Sequence, residues 1–223
     1  MAVAAVILFF VGYRRMAIAS AVSKPPIAAP AQDDQLAAHA GQEKAVFAGG
    51  CFWGTQTVFQ QVKGVLHIEA GYSGGSAATA TYAQVTTETT GHAESVEITY
   101  DPSQITYGTL LRIFFSVAHD PTQLNRQGPD VGTSYRSAIF YTTDRQHTLA
   151  ADYIQQLDAA QTFHGKIVTQ VVPLKAFYKA EDYHQDYAVK NPNNPYIQIC
   201  DVPKTAALKA QFPKLFKEYK PAS

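Results

Sequence analysis

The chain has 223 residues, of which 46% are hydrophobic and 16% charged, so it is long enough for one ordinary domain plus a tail. Lysine plus arginine and aspartate plus glutamate each number 18, so the chain lacks the net charge typical of proteins that bind nucleic acid or anionic membranes. Cys51 and Cys200 are the only cysteines, too few and too far apart for a disulfide framework or a cysteine-based zinc site.

The first 41 residues differ in composition from the rest. Residues 2–13 are apolar, Arg14 and Arg15 follow, and an Ala/Pro-rich segment comes next, which predicts an apolar leader and a linker. The apolar run is shorter than the about 20 residues that span a bilayer, and its charges follow it. Three interpretations stay open: an unusual signal for a periplasmic domain, a short membrane anchor, or a cytoplasmic protein whose true start is Met16.

Alternating strands and helices are predicted after the linker. A strand at 44–48 ends at Gly49-Gly50, and helical spacing of apolar residues then runs from Phe52 to Val62. Further strands are predicted at 65–70, 94–100, 136–141 and 166–172, and further helices at 105–117, 144–161 and 203–219, the last interrupted at Pro213. This pattern predicts one layered α/β (α+β) domain over residues 42–223, with a mixed sheet flanked by helices.

Cys51 stands where the first strand and a Gly-Gly turn meet the start of a helix. Unpaired backbone N–H groups and the positive end of the helix dipole favour a thiolate at such a position. Phe52 and Trp53 follow, and their apolar surfaces suit a methyl or thioether group. The alternative from the residues alone is a small buried hydrophobic residue, the commonest role of a lone cysteine.

Several motifs resemble one known family. Gly50-Cys51-Phe52-Trp53-Gly54 is similar to the GCFWG motif of the peptide methionine sulfoxide reductase A family, which restores oxidised methionine. The resemblance continues in the family's order over about 170 residues, counted from the sequence. Its other motifs are Gly71-Tyr72-Ser73-Gly74-Gly75, Thr81-Tyr82, Thr90-Gly91-His92-Ala93-Glu94, Tyr100-Asp101-Pro102, Asn125-Arg126-Gln127-Gly128, 132–139 and Tyr183-His184-Gln185.

The resemblance implies a role for each matching residue. Cys51 would attack the sulfoxide sulfur, and Glu94 would protonate the sulfoxide oxygen, which requires an apolar pocket that raises its pKa. Tyr82 and Tyr135 match the tyrosines whose hydroxyls bind that oxygen. The substrate-binding residues would be the remaining matches, namely Phe52 and Trp53 around the methyl group and Asp130 near the substrate main chain. The family implies the S epimer, protein-bound and free substrates, a monomer, and no metal or organic cofactor.

The resemblance also implies a cycle in which Cys51 becomes a sulfenic acid and a second thiol condenses with it to a disulfide. Cys200 is the only internal candidate for this resolving thiol. Many family members place that cysteine after Gly-Tyr in a flexible tail, whereas Cys200 follows Tyr196-Ile197-Gln198-Ile199, which predicts a strand. An external thiol that reduces Cys51 directly therefore stays open. The final reductant would be thioredoxin, another dithiol or, outside the cytoplasm, a membrane-linked thiol donor.

Two other functions remain as rivals. A cysteine hydrolase would activate Cys51 through His92 or His184, which the sequence otherwise predicts to be structural histidines. A binding module would use Cys51 and Cys200 as a structural disulfide. Neither explains the joint placement of Cys51, the aromatic pair, Glu94 and the two tyrosines.

Overall fold

The computed structural model describes residues 25–221, so the predicted apolar leader and the alternative start at Met16 lie outside the described residues. No helix in this range is long and apolar enough to cross a membrane. The strands in chain order are β1 (Glu43–Gly49), β2 (Val65–Ser73), β3 (Ala93–Tyr100), β4 (Arg126–Gln127), β5 (Asp130–Val131), β6 (Ser137–Tyr141), β7 (Gln170–Pro173) and β8 (Phe177–Lys179).

Six of the strands form one mixed sheet in the order β7-β6-β1-β3-β2-β8. Neighbouring strands run antiparallel, except that β6 and β7 are parallel. The short strands β4 and β5 pair as a separate ribbon. The prediction of an α/β (α+β) fold with a mixed sheet and flanking helices is confirmed.

Six α-helices and several short 3₁₀ and π-helical turns connect the strands over residues 25–221. The α-helices are α1 (Phe52–Gln60), α2 (Tyr82–Val85), α3 (Tyr107–Ile113), α4 (Asp144–Ala159), α5 (Tyr187–Lys190) and α6 (Val202–Gln211). Thr106 and Thr143 cap α3 and α4, because each side chain accepts a hydrogen bond from a backbone N–H of the first turn. The π-helical turns are Phe114–Ala118 and Ile197–Asp201, and the 3₁₀ turns are Ala77–Thr79, Thr133–Tyr135 and Asp182–His184.

The longer helices pack on one face of the sheet. Alternate residues of β1 point to opposite faces, so that Ala45 and Phe47 join the large core, whereas Val46 and Ala48 join a smaller cluster on the other side. The helices α1, α3, α4 and α6 all contribute buried side chains to the large core. This packing places the first turn of α1 at the end of β1, next to the start of β3.

The predictions near the C-terminus are only partly right. The closing helix ends at Gln211, two residues before Pro213, since proline cannot donate the next helical hydrogen bond. The prediction of a strand before Cys200 is wrong, because Ile197–Asp201 forms a π-helical turn that leads directly into α6. The alternation of Tyr196-Ile197-Gln198-Ile199 imitates a strand, but only Ile197 of these four residues is fully buried.

The predicted linker packs onto the domain in the part that is described. The carbonyl oxygen of Ile27 accepts a hydrogen bond from Arg112 Nε (2.7 Å), and that of Ala28 accepts one from the Tyr153 hydroxyl (2.6 Å). The Asp33 carboxylate accepts hydrogen bonds from the backbone N–H of Gly108 (2.9 Å) and from the hydroxyl of the α3 cap. Residues 25–41 therefore cover α3 and α4, while the domain boundary at residue 42 stays a prediction.

Removal of this segment is expected to lower stability. A chain that begins at Gln42 loses the hydrogen bonds to Asp33, Ala28 and Ile27, at a cost of about 1 kcal/mol for each lost bond. Its thermal midpoint should lie several degrees below that of a chain that begins at Pro25, measured by circular dichroism on both proteins. Equal midpoints would show that the segment contributes nothing to the fold.

Candidate active site

The site begins at the turn between β1 and α1. Gly50 has φ +82°, and a Cβ atom at this position would lie 2.5 Å from Cβ of Gln127, so the turn requires glycine for both its conformation and its close packing. Cys51 follows as the N-cap of α1. The sequence prediction that Cys51 stands at the start of a helix is confirmed.

Cys51 is buried, with 7% of its surface exposed. Burial raises the pKa of its thiol well above the usual value, and the negative charges of Glu94 and Asp201 raise it further. The Trp53 backbone N–H and the Tyr196 hydroxyl lower the pKa, but they do not outweigh burial. The stabilisation of a thiolate by backbone N–H groups that the helix start predicts is therefore present, but burial outweighs it, and the raised pKa keeps Cys51 a neutral thiol near neutral pH.

Glu94 lies beside this thiol on β3. Its side chain is buried, and Oε2 accepts a hydrogen bond of 3.0 Å from the backbone N–H of Phe52. Burial raises the pKa of Glu94 to about 8, although the Phe52 N–H opposes the shift, while the charge of Asp130 adds to it. The direction is the one predicted from the sequence, so Glu94 carries a proton near neutral pH and can donate it.

Two tyrosines lie near the carboxyl and the thiol. Burial raises the pKa of both Tyr82 and Tyr135, and the charges of Glu94 and Cys51 add to each shift. Both hydroxyls therefore stay protonated and can act as neutral hydrogen-bond donors. The backbone N–H of Tyr82 donates to Glu181 Oε1 (2.9 Å), which fixes the start of α2 relative to the site.

Phe52 and Trp53 form an aromatic wall. The ring of Phe52 is buried and tilted against His184, with their centroids 4.9 Å apart. The indole of Trp53 stacks on Tyr187 with centroids 3.8 Å apart, and its Nε1–H donates to His184 Nδ1 (3.2 Å). These contacts hold the indole in one orientation, as an apolar pocket for a methyl group requires.

The two histidines of the sequence motifs hold structure around the site. His184 accepts the Trp53 hydrogen bond on Nδ1 and is 2% exposed. His92 is also buried, and its Nδ1 accepts a hydrogen bond from the Gly75 backbone N–H (3.3 Å), while Nε2 lies 3.0 Å from the Ser76 carbonyl oxygen. Neither bonds to the Cys51 thiol, which matches the prediction of structural histidines.

Asp130 and Cys200 border the same space as Cys51. A cavity of about 440 Å³ is lined by Cys51, Gln127, Gly128, Pro129, Asp130, Tyr196, Ile199, Cys200 and Lys204. Asp130 Oδ2 accepts a hydrogen bond of 2.5 Å from the Tyr196 hydroxyl. Both cysteines are free thiols, and burial raises the pKa of the half-buried Cys200 to about 11. The structure therefore brings together all eight predicted site residues around one region.

Four further residues shape the site and were not found from the sequence. Tyr196 and Lys204 line the cavity, Asp201 is buried beside it, and Glu181 binds the Tyr82 backbone. Tyr196 stands in the segment before Cys200, which was predicted to be a strand. The sequence therefore offered no reason to place Tyr196 near Cys51. Nothing local marks Glu181, since its partners are distant in sequence.

The side chains around Cys51 suit thiol chemistry. Over residues 25–221, no group of three or more histidine, cysteine, aspartate or glutamate side chains is placed to hold a metal ion. The prediction that the chain uses no cofactor stays a prediction. A nucleophilic sulfur lies close to a protonated carboxyl and two neutral hydroxyls, which suits attack on a centre whose oxygen gains negative charge.

Comparison with known proteins agrees with this geometry. The family model described as peptide methionine sulfoxide reductase matches residues 43–215. A peptide methionine sulfoxide reductase MsrA 2 of Mesorhizobium japonicum is 58% identical over 178 residues, which are 80% of this chain and 91% of that protein. The MsrA of Deinococcus radiodurans is 49% identical over 173 residues, which are 78% of this chain and 84% of that protein.

Solved structures show the same fold. Reduced Mxr1 of Saccharomyces cerevisiae has a TM-score of 0.63 at 32% identity, covering 72% of this chain and 94% of that one. Methionine sulfoxide reductase A of Corynebacterium diphtheriae has a TM-score of 0.59 at 38% identity, covering 70% of this chain and 77% of that one. The chain therefore belongs to the peptide methionine sulfoxide reductase A family and is an oxidoreductase, a peptide-methionine (S)-S-oxide reductase.

Proposed function

We propose that the chain reduces methionine S-sulfoxide through a sulfenic acid on Cys51, followed by a disulfide between Cys51 and Cys200. The observation that carries the proposal is the contact between a buried neutral thiol and a buried carboxyl with a pKa of about 8. A thiol and a neighbouring proton donor meet the two needs of sulfoxide reduction, a nucleophile for sulfur and an acid for oxygen.

The first step transfers the oxygen from the substrate to Cys51. The sulfoxide oxygen accepts hydrogen bonds from Glu94 and from the hydroxyls of Tyr82 and Tyr135, while the methyl group lies against Phe52 and Trp53. The Cys51 sulfur attacks the substrate sulfur as Glu94 gives its proton to the oxygen, and the thiol proton returns to Glu94. Cys51 gains the hydroxyl group as sulfenic acid, and the substrate leaves as a thioether.

The second step removes the oxygen as water. The Cys200 thiol gives its proton to water, and its sulfur attacks the Cys51 sulfur. The S–O bond of the sulfenic acid breaks, and the departing hydroxide takes a proton from Glu94, which regains one from the solvent. The shared cavity supports this role for Cys200, since both thiols border it and the Tyr196 hydroxyl interacts with both of them. The products are one disulfide and one water molecule, which balance a sulfenic acid and a thiol.

The disulfide must be reduced before another turnover. Thioredoxin or another dithiol performs this exchange by attack on one of the two sulfur atoms. Asp130 stands at the open cavity, where a substrate main-chain N–H can reach its carboxylate. We propose both oxidised proteins and free methionine sulfoxide as substrates, because only the methionine end of either needs to enter the aromatic pocket.

The experiment uses the two sulfoxide epimers of a blocked methionine. The proposal predicts that the reduced protein with a dithiol forms methionine from the S epimer alone, and that Cys200→Ser slows turnover with thioredoxin at least about tenfold while its first turnover stays unchanged. If Cys200→Ser completes the first turnover and its turnover with thioredoxin is as fast as that of the wild type, an external thiol reduces Cys51 directly. Absence of turnover with either epimer would reopen the hydrolase and disulfide-module hypotheses.

A further inference from the structure

A second buried carboxyl lies beside the cysteine pair. Asp201 is 1% exposed, and neither of its carboxylate oxygens accepts a hydrogen bond that meets normal geometry from the residues that the structure describes. Its nearest cation is Lys204, whose Nζ lies 3.7 Å from Oδ1. The proposed mechanism uses neither residue. Burial of a charged group nevertheless costs free energy unless pairing and hydrogen bonds offset it.

Lys204 and Asp201 lie against the first turn of α1, the helix that Cys51 caps. A Cβ atom on Gly54 would overlap with Asp201 Oδ1 and lie 2.7 Å from Lys204 Nζ, so both charged groups approach the backbone of that turn. The Lys204 side chain is only 17% exposed and borders the cavity that contains Cys51 and Cys200. A confined cation therefore stands next to the thiol that the proposed second step deprotonates.

Cys200 needs such a cation. A thiolate is the attacking species in disulfide formation, whereas burial and the charge of Asp201 raise the pKa of Cys200 to about 11. Lys204 lowers this pKa, and so does the Tyr196 hydroxyl. The titratable and charged groups that border the cavity with Cys200 or act on its thiol are Cys51, Asp130, Tyr196, Asp201 and Lys204. Glu94 acts on Cys51, and His119 lies within the electrostatic reach of Lys204. Lys204 is the one cation in this set, because burial lowers the pKa of His119 to about 3.

We propose that the Lys204 ammonium, held at the cavity by Asp201, stabilises the Cys200 thiolate and thereby sets the rate of disulfide formation. The inference rests on the proposed resolving role of Cys200. The Cys200 thiol loses its proton to water in the open cavity, the thiolate attacks the Cys51 sulfur, and the S–O bond breaks as Glu94 protonates the departing hydroxide. Lys204 is a positioning residue in this scheme and forms no covalent bond.

The test measures single turnovers of the full chain with the S-sulfoxide of a blocked methionine and no reductant. Methionine formation reports the first step, and the Cys51–Cys200 disulfide, quantified by mass spectrometry after acid quenching, reports the second. The variants are Lys204→Met and Lys204→Gln, which remove the charge, and Lys204→Arg, which keeps it. Lys209→Met is the matched control on the same helix, because Lys209 is exposed and pairs with Glu218.

We expect both uncharged variants to form methionine as the wild type does but to form the disulfide at least about tenfold more slowly at pH 7, with the pH profile shifted upward by about one unit. Lys204→Arg should restore the profile, and Lys209→Met should match the wild type. An unchanged disulfide rate and profile in the uncharged variants would overturn the role of Lys204. Methionine without any disulfide in the wild type would instead overturn the resolving role of Cys200.

Discussion

Replacement of Cys51 by serine is expected to reduce sulfoxide reduction by at least about 10³-fold. A serine hydroxyl ionises far less readily than a thiol and cannot form the sulfenic acid that carries the oxygen away from the substrate. Serine is also a favourable helix N-cap, so the variant should fold at least as well as the wild type. Loss of activity would therefore report chemistry rather than unfolding.

The measurement is methionine formed per chain with the S epimer and a dithiol, together with a thermal midpoint for each protein. Cys200→Ser is the matched control, because it removes the other thiol and should leave the first turnover intact. Activity of Cys51→Ser within tenfold of the wild type would show that a different residue attacks the sulfoxide.

Replacement of Glu94 by glutamine is expected to lower the rate of the first step by about 10² to 10³-fold. Glutamine keeps the shape and can accept the Phe52 N–H hydrogen bond, but it cannot give a proton to the oxygen. The larger effect should therefore fall on kcat and the smaller one on KM. Glu97→Gln on the same strand is the control, since Glu97 lies three residues further along β3 and pairs with Lys44.

The pH profile gives a second readout of the same residue. With a pKa of about 8, Glu94 is protonated at neutral pH, so wild-type activity should fall as the pH rises through 8. Glu94→Gln has no proton to lose there, and its residual activity should lack this decrease. A wild-type profile that stays flat from pH 6 to 9 would contradict a protonated Glu94.

The raised pKa also has a consequence for stability. Burial raises the pKa of Glu94 from 4.5 to about 8, so its favourable contribution is complete below pH 4.5 and is lost as the pH rises through 8. The free energy of unfolding, measured with urea, should therefore fall between pH 5 and pH 9 in the wild type relative to that of Glu94→Gln. Parallel curves for the two proteins would contradict burial of an ionising carboxyl.

The elements whose signals are local could be predicted from the sequence. The strand around Val46 and the start of α1 follow from a short apolar run that Gly49-Gly50 ends, and the strand around Val96 follows from alternation. These predictions agree with the structure. The family motifs then identified Cys51 and Glu94, whereas the residues alone left Cys51 as a possible core side chain. Alternation failed before Cys200, where packing against α1 rather than local pattern decides the conformation.

Contacts between distant segments could not be predicted in the same way. The Glu181 carboxylate meets the Tyr82 backbone across 99 residues, and Tyr196 meets Asp130 across 66. The neutral state of Cys51 was also missed, since the local signal of a helix N-terminus favours a thiolate and only the folded structure reveals the burial that opposes it. The part of the site that depends on chain folding therefore had to come from the structure.

The most direct test of the proposed chemistry is one turnover of Cys200→Ser with the S-sulfoxide in the absence of any reductant. The variant retains Cys51 and Glu94 but has no internal thiol to resolve the intermediate. The account predicts one methionine per chain and one oxygen atom added to Cys51, trapped by a reagent specific for sulfenic acids and located by peptide mass spectrometry. Methionine formed while Cys51 remains a free thiol, or trapping at any other residue, would contradict the account.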